Sequence, residues 1–428
     1  MKVLKSNPIS PFGGINFVFE QLGILDIQAS LSSHLPRIGK SSRYNWNDIF
    51  NSLLSVYFCG GDCIEDLQTH LRPHFRANPF LKLPSSDTVL RRLSQLSSPE
   101  QGCYTKRGSV NHRYSANDDL LSLNIAVLKK LNQLEGDSLT LDYDNTIIFN
   151  EKKDSQMTYK KNPGYQPGVC MVNSRYVLAL ENRGGNSDAK SFQDKTLKRV
   201  FEQMERQGAP RIKNFRADSA SYQFDVIKLL EEHTKYFYIG CRNSYVEKYF
   251  KQVDQWRQLD IDGPMEVGEI MISPFKKEYK NGATPISYRL IVKRSPAPSK
   301  QLNLMTQDAY QYRAILTNNK VLTTEEVALF YNQRGMMEKQ FGILKNDFGW
   351  QKLPFSALNK NTVFLYFTAI ISNLYNYLVT IFSEKVKGLK PSHRIKRFIF
   401  TVIMLPARWI KQGRQQKLRV YSNMSFKT

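Results

Sequence analysis

Acidic residues are the scarce class in this 428-residue chain: 38 Asp and Glu stand against 61 Lys and Arg, a formal charge of +23. The extreme case is the last stretch, Lys385 to Thr428, which holds twelve Lys or Arg and no Asp or Glu. A basic surplus spread along the whole chain argues for a polyanionic partner, nucleic acid before membrane. Cysteine is scarce too. Cys59, Cys63, Cys103, Cys170 and Cys241 are scattered and odd in number, which argues against a disulfide framework and fits a reducing compartment. The opening "MKVLKSNPISPFGG" lacks a continuous apolar run, so no signal peptide is expected. Internal repeats and low-complexity linkers are missing as well, and the length allows two or three domains around a large core.

Two segments imitate something they are not. Residues 363–382, "VFLYFTAIISNLYNYLVTIF", are apolar and about long enough to span a bilayer. Asn373, Asn376 and several Tyr and Thr interrupt the run and no second one exists, so it reads as a core helix packed on a sheet, with no membrane partner. In "CGGDCIEDLQTHLRPH", Cys59, Cys63, His70 and His74 mimic a zinc finger, but only six residues separate Cys63 from His70, about half of what a Cys2His2 finger needs. Two helices broken at Gly60-Gly61 are the better reading.

Residues 1–135 look all-helical, with apolar residues at helical spacing in "FVFEQLGILDIQASLSSHL" and "WNDIFNSLLSVYF". "LPSSDTVLRRLSQL" starts on the N-cap cluster Ser85-Ser86-Asp87 and places Arg91 and Arg92 early in its helix, as a reading helix of a helix-turn-helix would. After Asp137 the period changes to two. "SLTLDYDNTIIF" puts Leu139, Leu141 and Tyr143 on one strand face and Asp142, Asp144 and Thr146 on the other. "VCMVNSRYVLALE" reads as a second strand, joined through the basic loop "YKKNPGYQPG", and a helix, the strand ending at Asp218, a helix and the strand "YFYIGCR" follow. That order predicts a mixed α/β sheet. The expected divisions are 1–135, a helical DNA-binding region; 136–242 and 319–384, two parts of an α/β core; 243–318, a β-rich insertion; and 385–428, a basic helical tail.

The stretch "YNQRGMMEKQFGILKNDFGW", residues 331–350, carries the chemistry. At about 100° per residue, Tyr331, Arg334, Glu338 and Lys345 project from one stripe about 60° wide, while Leu329, Met336, Met337, Phe341, Ile343 and Leu344 form an opposite, core-facing side. A carboxylate flanked by two cations and a phenol needs partners. Asp218 at a strand end and the pair Asp142/Asp144 supply them, because acids at strand ends are where α/β folds build sites. Carboxylates converging from two strands and a helix make an oxygen-rich cage for Mg²⁺ or Mn²⁺. Two such ions would serve phosphodiester chemistry, with Glu338 as a ligand and its stripe neighbours facing DNA. Lys160, Lys161 and Tyr165 of the basic loop, and Arg242 after "YIGC", are further candidate DNA contacts.

The spacing Tyr331-x2-Arg334-x3-Glu338-x6-Lys345 resembles, without a gap, the Y-R-E-K signature of DDE transposases from bacterial insertion sequences. "DYDNT" resembles that family's first-acid strand and points to Asp144; "ADSASY" resembles the second and points to Asp218. The D-x-D-x-T form followed by "GYQPG" is similar to the group-1 DDE domain subgroup. The resemblance implies an RNase H-like core, two Mg²⁺ ions (Mn²⁺ substituting) on Asp144, Asp218 and Glu338, and Asp142 as an alternative or supporting ligand. It implies cut-and-paste transposition on terminal inverted repeats and target DNA, by a homodimer in a synaptic complex, in the bacterial cytoplasm at the nucleoid. A stand-alone RNase H-like nuclease would share the three acids, and a non-catalytic DNA-binding regulator would use them only to stabilise the sheet.

Overall fold

The computed structural model describes residues 9–104, 111–260, 263–279, 284–298, 302 and 306–422; the first eight residues, where a signal peptide was judged absent, lie outside them. The N-terminal third opens with helices α1 (Ile15–Ile24), α2 (Ile27–His34), α3 (Trp46–Phe58) and α4 (Ser86–Ser94). A capping box on Asn45 and Asp48 starts α3, and the Ser85 side chain caps α4, as the sequence pattern requires. This third is not all-helical. Strands β1 (Gln101–Tyr104) and β2 (Asn111–Ser115) precede α5 (Asp118–Lys130), and β2 pairs with a strand of the central sheet. They are too short and too polar to show a period-two pattern.

The sheet continues with β3 (Thr140–Asn145), β4 (Gly168–Val172), β5 (Tyr176–Arg183), helix α6 (Gln193–Arg206), β6 (Ile212–Ala217), α7 (Phe224–His233) and β7 (Thr234–Cys241). "VCMVNSRYVLALE" is therefore two strands and not one: Asn173 and Ser174 both have positive φ, 53° and 55°, the signature of a two-residue type I′ hairpin turn. Next come β8 (Arg257–Gln258), β9 (Glu266–Ile272), β10 (Tyr288–Pro296) and β11 (Tyr310–Thr317). The spatial order is β1-β2-β5-β4-β3-β6-β7-β11-β10-β9-β8, with β3, β6 and β7 parallel and the other pairs antiparallel. The β-rich segment thus extends the central sheet through β11 on β7. The basic loop between β3 and β4 folds into a small sheet of Ile148–Phe149, Gln156–Met157 and Pro163–Tyr165.

Helix α8 (Thr324–Asn332), a 3₁₀ turn at Gln333–Gly335, and α9 (Met336–Asp347) replace the single helix expected over 331–350. The break changes which residues are buried. Met337, Phe341 and Leu344 are in the core as expected, whereas Leu329 and Met336 are exposed. Helix α10 (Leu358–Lys385) packs along β5, and 83% of its most apolar window is buried, so it is a core helix. The basic tail is not helical throughout: after a short helical segment it forms the hairpin β12 (Ala407–Gln412) and β13 (Gln415–Val420). The four zinc-finger mimics do not come together: the one group of three candidate ligands within 4.8 Å among the described residues is Asp62, Cys63 and Asp66.

The asparagine that interrupts the apolar run of α10 has a structural task. Between β4 and β5 the register skips Leu178, a β-bulge that takes neighbouring backbone groups out of the ladder. Asn373 Oδ1 accepts from the Val177 N–H at 2.9 Å and its Nδ2 donates to the Val177 carbonyl at 2.8 Å, while Asn124 from α5 donates to the carbonyls of Val177 and Leu178. Both side chains are fully buried. Asn373→Leu should therefore lower stability by about 1–3 kcal/mol despite adding apolar surface, because it strands buried backbone groups. A urea unfolding midpoint at or above that of the wild type would contradict this.

Candidate active site

The site forms where the parallel pair β3 and β6 ends. Asp142 and Arg216 are direct cross-strand partners, and the register runs one step further, to Tyr143 and Ala217. With side chains alternating, the next residues on the Asp142–Arg216 face are Asp144 on β3 and Asp218 just beyond β6. One face thus carries a neutral row followed by an anionic row.

In the neutral row Arg216 grips Asp142 with two hydrogen bonds, Nε to Oδ1 at 2.7 Å and Nη2 to Oδ2 at 3.0 Å. Ser174, from the β4–β5 turn, donates to Asp142 Oδ2 at 2.7 Å and accepts from Arg216 Nη2 at 2.6 Å. That double contact gives a reason for a serine in a left-handed conformation where glycine is usual. Asp142 is fully buried and both its oxygens are engaged, which fits the second of the two roles expected for it, a support beneath Asp144, and leaves no free oxygen for the first, a metal ligand. Arg216 also donates to the Phe330 carbonyl at 2.7 Å, tying the end of α8 to the sheet.

In the anionic row Asp144 Oδ1 accepts from the Asn145 N–H at 2.8 Å, and Asp218 Oδ1 caps its following turn through the Ala220 N–H at 3.0 Å. Burial, and then the neighbouring Asp218 carboxylate, push Asp144 up to about 6. Arg334 works against that rise: its Nη1 donates to Asp144 Oδ2 at 2.9 Å and its Nη2 lies 3.8 Å from Glu338 Oε1. The 3₁₀ turn carries Arg334, so the helix break places its guanidinium between the strand-end acid and the helix acid. Glu338 itself is 71% exposed. The oxygens of Asp144, Asp218 and Glu338 are not all within 4.8 Å of one another.

The other stripe residues divide by burial. Tyr331 donates to the carbonyl of Ala217, the residue before Asp218, at 3.1 Å, and burial pushes its phenol up to about 12. It supports the Asp218 strand and does not present its hydroxyl to solvent. Gly240 on β7 makes room for it, since a Cβ there would collide with the Tyr331 hydroxyl. Lys345 is partly buried, and burial together with nearby Lys160 pulls its amine below the usual lysine range; the basic loop and the Glu338 helix therefore share one cationic surface. Lys160, Lys161 and Arg242 are exposed. Tyr165 is not a DNA contact: it is 0% exposed and its hydroxyl is held by Asp154. Arg91 and Arg92 lie in the last turn of α4, and ten residues, 76–85, separate α4 from the preceding helix end at Phe75. A helix-turn-helix needs a turn of about three or four residues and reads with the helix start, so that assignment falls. Arg92 instead donates to Ser42 at 2.7 Å.

Three residues of the site escaped the sequence reading. Arg216 and Ser174 are two, although an arginine inside the apolar strand "NFRAD" signals a buried cation that demands an acid. The third is Lys293 on β10, 6% exposed, which donates to Asn332 at 2.7 Å and lies 5.8 Å from the Tyr331 ring centroid. Burial, then Arg313, lowers it to about 8. Nothing in "LIVKRS" distinguishes it from a solvated strand end.

The profile of the transposase DDE domain group 1 family matches residues 13–428. This chain belongs to that family. No curated protein matches it. Among solved structures, a piggyBac transposase synaptic complex with hairpin DNA, determined by cryo-EM, aligns over 91% of this chain and 79% of that chain, with 12% identity and a TM-score of 0.42. DDE transposases are DNA-cleaving and transesterifying enzymes that use divalent metal ions. An all-oxygen set suits such hard cations, and a strand-end acid held high by burial and a second acid, with Arg334 as its counter-charge, is a fitting place for one.

The supporting role of Asp142 in this transposase has its own test. Arg216→Met leaves a buried carboxylate without its cation and should cost about 3–5 kcal/mol, whereas Arg216→Met with Asp142→Leu should recover most of that loss. Urea unfolding of the two variants decides it. A double variant no more stable than the single one would contradict the buried ion pair.

Proposed function

We propose that this transposase is an insertion-sequence enzyme that binds terminal inverted repeats and performs cut-and-paste transposition, with Asp144, Asp218 and Glu338 as its metal-binding acids. The observation that carries the reading is the anionic row at the ends of two adjacent parallel strands, with Arg334 linking it to Glu338. The order β5-β4-β3-β6-β7, three antiparallel strands continued by two parallel ones, supports an RNase H-like core, of which 136–242 and 319–384 would be the two parts and 243–318 the insertion. Two Mg²⁺ ions, with Mn²⁺ able to substitute, would activate the attacking water or 3′-hydroxyl and stabilise the leaving oxygen.

The chain's own residues have separate tasks in this reading. The Asp142–Arg216–Ser174 cluster fixes β3 against β6, so the two strand-end acids keep their spacing. Tyr331 fixes the Ala217 carbonyl and with it the turn that presents Asp218. Arg334 neutralises Asp144 and Glu338 until divalent cations take over that task, after which its fork suits a DNA phosphate. Lys345, Lys160, Lys161 and Arg242 hold the phosphates on either side of the scissile bond. Because transposition joins two ends, a homodimer would supply one such site to each, on DNA in the bacterial cytoplasm.

Glu338→Gln tests the catalytic assignment, because its side chain is exposed and the substitution keeps its shape. Folding and DNA binding should be retained, while Mg²⁺-dependent cleavage of a labelled duplex carrying the element end should fall by about 10³-fold, the equivalent of about 4 kcal/mol of transition-state stabilisation. Cleavage at the wild-type rate would rule out Glu338 as a ligand.

A further inference from the structure

The hairpin β12–β13 is unusual in what it places opposite what. Its turn residues Gly413 and Arg414 have φ of 58° and 63°, again the type I′ geometry that joins two strands tightly. Cross-strand partners share a face. One face therefore holds Ala407/Val420, Trp409/Leu418 and Lys411/Gln416; the other holds Arg408/Arg419, Ile410/Lys417 and Gln412/Gln415.

The first face is used at its root. Ala407 exchanges two backbone hydrogen bonds with Ser10, at 2.8 and 2.9 Å, and the Trp409 ring meets Phe80 edge-on at 5.2 Å. Among the described residues the second face has no such cover. Lys417, Arg419, Gln412 and Gln415 are exposed, and so are Lys411 and Arg414. The hairpin contains five cations and no acid. Arg408 and Arg419 are direct partners, a like-charge pair that destabilises a strand pair, in a two-stranded element that is marginal on its own. The Arg408 Nε is shielded from solvent and makes no hydrogen bond among the described residues. An anionic partner would relieve the like-charge repulsion.

The surroundings favour a long anion over a small one. Phe75 lines a small cleft together with Ala407, Arg408 and Trp409 of the hairpin and also lines a cavity of about 480 Å³, walled by Arg43, Arg72, Arg76 and Lys82 with no carboxylate in its lining. Arg92 braces this wall through Ser42, next to Arg43. Cations thus extend from the hairpin across the adjoining helical surface.

We propose that β12–β13 is a DNA-reading ribbon that enters a groove of the duplex at the element end, with the adjoining cavity on flanking phosphates. A two-stranded ribbon fits the major groove, and glutamine and arginine are the side chains that pair bidentately with adenine and guanine edges. Gln412, Arg414, Gln415 and Gln416 sit at the tip, and six-residue strands reach about 20 Å. The proposal rests on the transposase reading above, but assigns end recognition to the ribbon and not to Arg91 and Arg92.

The experiment uses the full chain and two duplexes: one carrying the DNA that flanks the reading frame, and a shuffled one of equal length. Anisotropy is read at several salt concentrations, with Mg²⁺-dependent cleavage of the same duplexes in parallel and circular dichroism to verify folding. A tip variant, Gln412→Ala with Arg414→Ala and Gln415→Ala, should lose about 10- to 100-fold in affinity for the flanking duplex and little for the shuffled one. Lys417→Ala with Arg419→Ala should weaken both alike and lower the salt slope by about two. A wild type that prefers neither duplex, or a tip variant with its preference intact, overturns the ribbon. A wild type that discriminates without cleaving contradicts the catalytic reading and still supports the ribbon.

Discussion

Two carboxylates side by side at the ends of parallel strands are the constraint around which this molecule is arranged. Neighbouring strands lie about 5 Å apart, so Asp144 and Asp218 repel one another, and Asp144 is held near 6 in consequence of that neighbour and of burial. The row beneath carries opposite charges, Asp142 and Arg216, and closes on itself. What remains above must be neutralised from outside the sheet. The break between α8 and α9 does this by turning Arg334 toward Asp144 while leaving Glu338 in solvent.

The same geometry separates support from recognition. Residues that bond to the sheet, namely Arg216, Ser174 and Tyr331, are buried or partly buried and hold it in place. The proposed phosphate contacts differ from these: Lys160, Lys161 and Arg242 are exposed and Lys345 is partly so. Charge is distributed in the same sense at the far end of the chain, where the hairpin packs Trp409 on Phe80 and leaves Lys411, Arg414, Lys417 and Arg419 exposed. The surplus of +23 is thus organised into surfaces and is not a uniform coat.

The sequence exposed those features whose cause is local. Alternation revealed β3 and its two acids, N-capping residues marked α3 and α4, and interruption by asparagine separated α10 from a membrane span. Features caused by tertiary contact were hidden. An Asn-Ser turn lacks the glycine that advertises a hairpin, and its serine is held there by Asp142 and Arg216, a partner from 42 residues away. Tyr165 looked like an exposed loop aromatic until the loop folded into a small sheet over it. Arg334 appeared to share a continuous stripe because helical angles assume no 3₁₀ turn, and the tail appeared helical because its basic composition conceals a two-residue turn at Gly413-Arg414. The family resemblance carried the three acids further than periodicity alone, which left Asp142 and Asp144 equivalent; the arginine that separates them is what the structure adds.

Binding of Mn²⁺ to the DNA-free chain, followed by electron paramagnetic resonance, tests the account most directly, since it needs neither substrate nor turnover. Wild type should bind the ion, Asp144→Asn and Asp218→Asn should lose it, and Arg334→Gln should bind it more tightly because the resident counter-cation is gone. Equal Mn²⁺ affinity in wild type and Asp144→Asn would contradict a metal site at the ends of β3 and β6.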